Sequence, residues 1–384
     1  MYDPRLIPWM NSELAIFRQS VRRFLADEAV PNNERWLKQR HVDHEFYVKA
    51  GEMGILCPSI PEEHGGGGGT FAHEAIISEE LAYAGVSAFA QAVHGTICAH
   101  YILAYGTEEQ KRRWLPKMCS GKLIGAIAMT EPGAGTDLQA VNSRAIRAEG
   151  QDHYVVNGSK TFISNGQIAD LIIVAVKTNP SEAAKGISLI VVEADKAPGF
   201  KRGRTLEKLG MHGQDTSELF FEDVRVPVAN RLGDEGRGFA ELMNQLPQER
   251  LSIAVGAQAC MERAIGVTLD HVKQRTIFGK PMMELQNTRF KLAECVTVSS
   301  VTRAFVDSCV TKHLSGELTA AEASMAKYWA TDQLSKVIDE CLQLHGGYGY
   351  MMEYPIAQMF ADTRVQRIFG GANEVMKELV ARSL

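Results

Sequence analysis

The sequence predicts an α+β chain, mainly α, built in three parts. These are an N-terminal α-helical domain over residues 1–125, a middle antiparallel β-barrel over 126–234 and a C-terminal four-helix bundle over 235–384. Apolar residues recur at three- and four-residue steps on either side of the middle segment and at two-residue steps within it. No helical stretch separates the strands, so a barrel or sandwich is expected in place of alternating strand–helix units. At 384 residues, the chain is also longer than one core of ~100–200 residues accommodates.

In the segment 12–28, Leu14, Phe17, Val21 and Phe24 form one apolar stripe, with Arg18, Arg22 and Arg23 between them. Similar spacing marks helices at 45–55, 71–84, 88–105 and 107–119. Gly65 to Gly69 interrupt the series and read as a flexible connector, because no phosphate-cradling glycine pattern occurs in the chain. His153 to Val156, then Asn157-Gly158, then Ser159 to Ser164 predicts a hairpin, since Asn-Gly tolerates the positive φ of a two-residue turn. Further strands are expected at Leu171–Lys177, Ile187–Glu193 and Glu218–Val224. Helices are expected again at 238–274, 284–315 and 318–343, with Met325 and Trp329 facing the bundle core.

Composition removes several function classes. The 41 basic and 46 acidic residues give net charge −5 with no basic block, which gives nucleic-acid or membrane-surface binding no electrostatic support. No apolar run reaches the ~18 residues of a spanning helix, and MYDPRLIPWM lacks a charged start followed by an apolar stretch. Neither secretion nor membrane insertion is expected. A bacterial cytoplasmic protein fits, and a processed chain of the mitochondrial matrix would look the same. The seven cysteines are dispersed without C-x-x-C spacing, so reduced thiols are expected, and neither a disulfide frame nor a metal site.

The segment from Ala128 to Leu138 carries the sharpest chemical signal. Gly133, Ala134 and Gly135 allow backbone N–H groups to approach a flat or anionic ligand, and Thr130 and Thr136 add hydroxyls. This segment resembles the first signature of the acyl-CoA dehydrogenase family. Gln343-Leu344-His345-Gly346-Gly347-Tyr348-Gly349-Tyr350 with Glu353-Tyr354-Pro355 resembles the second. Phe162-Ile163-Ser164-Asn165-Gly166 is similar to the flavin-facing strand motif, with Phe162 where many members carry tryptophan. Arg275, Phe278, Gly279, Lys280 and Gln286 are similar to the helix-borne FAD contact. These motifs stand in family order from about residue 12 to 384.

The resemblance implies a homotetramer with FAD between the barrel and the bundle. FAD contacts would come from Ile127, Met129, Thr130, Gly135, Thr136, Phe162, Ile163, Ser164, Arg275, Phe278 and Gln286. Gln343, Leu344, His345, Gly346 and Gly347 would reach the FAD of a neighbouring subunit, and Ala372, Asn373 and Glu374 would complete the set. Ala372 replaces the family's threonine, with Asn373 or Glu374 available to compensate. The acyl-CoA would meet Thr136, Pro247, Arg250, Gly370 and Gly371.

The reaction implied is α,β-dehydrogenation, in which a carboxylate removes the α-proton while the β-hydrogen leaves as hydride to the flavin. Most members carry that base directly before a Gly-Thr pair, where this chain has Gly370. Glycine has no side chain to act, so Glu249 in Leu246-Pro247-Gln248-Glu249-Arg250 is the expected base, as in long-chain and isovaleryl-type members. On its own, Glu249 would read as an N-terminal helix residue placed after Pro247. The stretches 245–250, 302–307, 325–330 and 376–382 look most like the long-chain enzymes, with electron-transfer flavoprotein as acceptor. An acyl tunnel between the first and third domains is expected, with Gln91 to Gly95 as lining and His94 as a polar wall or core residue. Two other readings keep the scaffold: an acyl-CoA oxidase or flavin monooxygenase, and a non-catalytic flavin- or CoA-binding protein.

Overall fold

The computed structural model describes residues 7–384. The first six residues of the MYDPRLIPWM stretch lie outside the described residues. Helices come first: α1 (Ser12–Phe24), α2 (Val30–Gln39), α3 (His44–Glu52), α4 (Phe71–Ala84), α5 (His100–Tyr105) and α6 (Glu108–Cys119). The helix expected at 12–28 continues through a π turn at Leu25–Ala29 into α2. That expected at 88–105 begins at Gln91 and has a π stretch at Val93–Ala99. Thr107 and Gln110 close a reciprocal cap at the start of α6.

The glycine run is ordered, contrary to the connector expectation. Gly66, Gly67, Gly68 and Gly69 donate to the carbonyls of Pro61, Cys57, Ile60 and Pro58. A Cβ on Gly66 would stand 2.1 Å from the Ile60 carbonyl oxygen, so only glycine permits the segment to fold back so closely.

Strands β1 (Gly125–Ala128), β2 (Arg144–Ile146), β3 (His153–Ser164), β4 (Leu171–Lys177), β5 (Ile187–Glu193), β6 (Phe200–Thr205), β7 (Thr216–Pro227) and β8 (Arg231–Leu232) form one sheet. Its order is β6-β7-β3-β2-β4-β5-β8, with β1 beside β4. Most neighbours are antiparallel, but β1 and β2 both run parallel to β4. β4 and β5 are apolar on both faces. Ile172, Val174, Val176, Ile190 and Val192 fill the core of the β domain, whereas Leu171, Ile173, Ala175, Leu189 and Val191 pack into the helical core.

The expected hairpin at Asn157-Gly158 is absent, and β3 runs straight through it. The pairing with β7 slips there instead, Val156 opposing Val224 and Gly158 opposing Phe221. The extra residue lies on β7, where Asp223 takes φ 51° and exchanges two hydrogen bonds with the Asn157 amide, at 2.9 and 3.0 Å. The Asn-Gly pair therefore supports a β-bulge and not a chain reversal.

The last part comprises α7 (Gly238–Gln274), the short strands β9 (Thr276–Ile277) and β10 (Lys280–Pro281), α8 (Gln286–Leu314), α9 (Ala320–His345), α10 (Pro355–Thr363) and α11 (Asn373–Ala381). Met325 and Trp329 are only half-buried. The core face of α9 is instead Ala323, Ala326, Ala330 and Leu334, which lets α7 approach closely, while Trp329 donates to Thr302 Oγ1 at 3.0 Å. Buried Glu79 of α4 accepts from both Arg18 of α1 and Arg303 of α8, which ties the first helices to the last. All seven cysteines are free. No helix among the described residues is long and apolar enough to cross a membrane.

Candidate active site

Helix α7 carries Glu249 and Arg250 in its interior, eleven and twelve residues past its start at Gly238. A position at the helix N-terminus is thereby excluded for Glu249. Pro247 sits within the same helix, where its missing N–H leaves the carbonyl four residues earlier without its usual donor. Pro247 precedes Glu249 by two residues and so points to the opposite side of α7.

Glu249 is 7% exposed. Its Oε1 accepts a hydrogen bond of 3.0 Å from the Tyr101 hydroxyl of α5. Burial raises the Glu249 carboxyl to about 7, against the opposing pull of the Tyr101 hydrogen bond and the Arg250 charge. The group therefore changes charge near neutrality, as a general base must. Together with Gly370 it lines a cavity of 310 Å³ between α4, the loop after it, α7 and α10. Gln91, Ala92 and Val93 line this cavity as expected. His94 and Gly95 do not. His94 Nδ1 accepts from Gly125 N–H and Nε2 lies 3.0 Å from the Met118 carbonyl, so the ring joins β1 to α6 and burial holds it neutral, down to about 4.

Gly370 and Gly371 have φ of 64° and 94°. A Cβ on Gly370 would stand 2.4 Å from Ile253 Cδ1, so the α7 side chain fills the space that a base at 370 would need. Among the described residues the Gly370 N–H has no acceptor. The turn is fixed by Lys327, whose Nζ donates to the Gly371 carbonyl at 2.7 Å and to Asn373 Oδ1 at 2.8 Å. Burial first, then the Arg250 charge, lowers Lys327 to about 8. Nothing in the sequence marks Lys327 for this role, because it lies on α9 far from the motif it holds. Arg250 reaches toward Gly371 and donates to Ser324 Oγ at 3.5 Å, leaving its Nε unpaired.

The loop after β1 presents a second group. Ile127 and Met129 are half-buried, and Gly135 and Thr136 are exposed. Thr130 O accepts from Thr161 N–H at 3.0 Å. Beside it Phe162 stands 65% exposed at φ 59°, with Ile163 buried and Ser164 half-buried. The loop is held by Glu131, which accepts from the N–H groups of Asn142 and Ser143 and from Lys160 Nζ at 2.8 Å. Both partners are buried. Neither residue stands out in the sequence, since Lys160 lies outside every motif and Glu131, although within the Ala128–Leu138 segment, is not one of its small or hydroxyl residues. Replacing Lys160 with methionine leaves a buried carboxylate unpaired and is expected to cost about 3–5 kcal/mol in a denaturant titration.

A third group assembles at the other end of α7. Arg275, Gln343, Leu344, His345, Gly346 and Gly347 line one cavity of 540 Å³. The Arg275 guanidinium lies over the Tyr348 ring at 5.6 Å, and His345 stacks on His271 at 4.2 Å. Nothing lies within 4 Å of a Cβ placed on Gly346 or Gly347, so their backbone is open to a ligand. Phe278 is 92% exposed in the turn between β9 and β10. Gln286 opens α8 and is exposed. Ala372 precedes α11 and Glu374 is exposed. The Asn373 side chain is consumed internally, donating to Thr331 Oγ1 and Asp332 Oδ1 at 2.9 Å, so only its backbone could compensate for Ala372.

An exposed aromatic face beside an open glycine loop suits a flat ring system, and an open glycine pair beside an arginine suits a pyrophosphate. Both features fit FAD.

Comparison with known proteins agrees with this geometry. Family models for the acyl-CoA dehydrogenase N-terminal, middle and C-terminal domains match residues 11–122, 126–224 and 236–384. The mitochondrial long-chain specific acyl-CoA dehydrogenase of Mus musculus is 50% identical, over 97% of this chain and 87% of its own length. A crystal structure of an acyl-CoA dehydrogenase from Geobacillus kaustophilus superposes with TM-score 0.95 at 48% identity, covering 98% of this chain and 99% of that one. A structure described as an electron transferring flavoprotein of Acidaminococcus fermentans matches at TM-score 0.92 and 32% identity, over 97% of this chain and 98% of that one. Members of this family are flavoproteins. The chain belongs to the acyl-CoA dehydrogenase family and is an oxidoreductase of that class.

Proposed function

We propose that this enzyme converts long or branched acyl-CoA thioesters to trans-2-enoyl-CoA in fatty-acid β-oxidation, with FAD as cofactor and electron-transfer flavoprotein as acceptor. The observation that carries this reading is the pairing of buried Glu249 with side-chain-free Gly370 on one cavity. The acyl chain enters that cavity, and Glu249 as carboxylate takes the α-proton onto its free oxygen. Arg250 and the Gly370 N–H meet the negative charge that develops at the thioester end. Gly371, Thr136 and Pro247 are assigned to the CoA side, with Pro247 on the face of α7 away from Glu249. Bound FAD supplies the acceptor for the β-hydride.

Phe162 to Ser164 and the loop from Ile127 to Thr136 hold the flavin ring. Arg275, Phe278, Gln286 and Gln343 to Gly347 act together, since Arg275 shares a cavity with the glycine pair, and we assign them to the FAD of a neighbouring subunit in a homotetramer. Ala372 to Glu374 contribute backbone. The domain division adopted is 1–125, 126–234 and 235–384. The relatives include mitochondrial and bacterial proteins, and a cytoplasmic or matrix location suits this pathway.

Anaerobic addition of acyl-CoAs of graded length to the purified protein tests this function. Long chains are expected to bleach the flavin absorbance. Rapid oxygen consumption by the reduced protein would favour the oxidase reading, and colourless or unbleached protein would exclude catalysis.

The pH dependence has a fixed sign. Glu249 acts only when deprotonated, so kcat/KM of the free enzyme rises with pH through about 7 and falls roughly tenfold per unit below it. Tyr101→Phe removes a hydrogen bond that favours the charged form. The acid limb should therefore move to higher pH. A limb that stays or moves lower refutes the contact's role.

A further inference from the structure

The acyl cavity has an end that an entirely apolar chain does not explain. Glu249, Ile253, Gly256, Cys260 and Arg263 follow one another along α7 at steps of three and four residues, and all five line the cavity. Fourteen residues of helix place Arg263 about 21 Å from Glu249 along the axis. There the wall turns polar, with Arg263, Asp362 and Gln366 grouped around the Cys260 thiol. Gly85 makes room for the guanidinium: a Cβ on it would stand 2.2 Å from Arg263 Nη2.

Two hydrogen-bonding groups at this end are unused. Among the described residues the Arg263 guanidinium makes no hydrogen bond and no close ion pair, although the Asp362 carboxylate acts on it electrostatically. Gln366 Oε1 is buried without a donor. Asp362 is already engaged, accepting from the Met211 N–H. Arg263 also lines a second, polar cavity of 550 Å³ with Arg18, Tyr83 and Glu262, so it forms a partition between the acyl cavity and a polar space. An apolar chain end brought against such groups leaves their hydrogen bonds unmade.

We propose that Arg263 and Gln366 recognise a hydroxyl group at the ω-end of a long acyl chain, so that this enzyme accepts ω-hydroxyacyl-CoA thioesters. A hydroxyl can accept from Arg263 and donate to Gln366 Oε1 at once, whereas a methyl can do neither. A carboxylate accepts from Arg263 but brings no proton to Gln366 and faces the Asp362 charge. With C–C bonds of ~1.5 Å an extended chain advances about 1.25 Å per carbon, and allowing for the reach of the arginine side chain this suits about 14–16 carbons. The inference rests on the proposed function, because it uses the same cavity and the same base.

The test is calorimetric titration of Glu249→Gln holoenzyme, chosen because its flavin reduction is slowed, with 16-carbon acyl-CoAs ending in methyl, hydroxyl or carboxylate. Adding Arg263→Met should lower the ratio of hydroxyl-ended to methyl-ended affinity about tenfold. Adding Gln366→Leu instead should lower it several-fold, and this second variant keeps the test open if the first misfolds. A ratio unchanged in the variants overturns the proposal while leaving the dehydrogenase reading intact. Tighter binding of the carboxylate-ended chain overturns the choice of hydroxyl. Failure of the methyl-ended chain to bind at all overturns the acyl cavity, and this inference with it.

Discussion

Glu249→Gln should slow flavin reduction by long-chain acyl-CoA by about 10²–10⁴-fold, the usual contribution of a positioned general base. Glutamine keeps the shape of the side chain and can still accept from Tyr101, whose hydroxyl lies 3.0 Å from Oε1. Neither a cavity nor an orphaned tyrosine then confuses the result. What is lost is the carboxylate that burial holds near neutrality. Acyl-CoA binding should persist in the variant, measured by calorimetry beside stopped-flow bleaching. If the variant bleaches as fast as the wild type, Glu249 is not the base, and Gly370 offers no side chain to replace it.

The second large effect is expected at Gly256. It lies seven residues along α7 from Glu249, about 10 Å of helix, and it lines the cavity packed beside Ser78 of α4, where an added Cβ would come 3.1 Å from Ser78 Oγ. A leucine there closes the passage beyond about eight carbons of chain. We expect kcat/KM for 16-carbon substrates to fall about 100-fold, while chains of eight carbons or fewer lose much less. Overpacking should also lower stability by about 1–3 kcal/mol, so a melting curve belongs with the kinetics. Retained long-chain activity would mean that the acyl chain does not follow the α7 stripe.

Much of the architecture was legible because hydrophobic period depends on local geometry. The apolar stripe of α1, the extent of α7 and the apolar runs of β4 and β5 were all readable at nearly their observed bounds. The errors fell where one local pattern admits two tertiary outcomes. Asn157-Gly158 suits a hairpin turn and a bulge equally, and pairing with β7 selected the bulge. A glycine run suits flexibility and close packing equally, and contact with residues 57–61 selected packing. Met325 and Trp329 looked like core by size, but close approach of α7 and α9 favoured the alanine face.

For the site, sequence by itself determined the family pattern, the absence of a side chain at Gly370 and the presence of a carboxylate at Glu249. The tertiary structure decided that these two line one cavity. Ile253 occupies the space above Gly370, Tyr101 holds Glu249, and Lys327 pins the Gly370–Gly371 turn. It also decided that the Asn373 amide is spent inside the bundle and that His94 is a strut. Side-chain identity is written in the chain, but the pKa of a carboxyl, the free valence of an amide and the polar end of a cavity depend on neighbours up to hundreds of residues away. Burial and hydrogen bonding set those properties, and only folding brings the partners together.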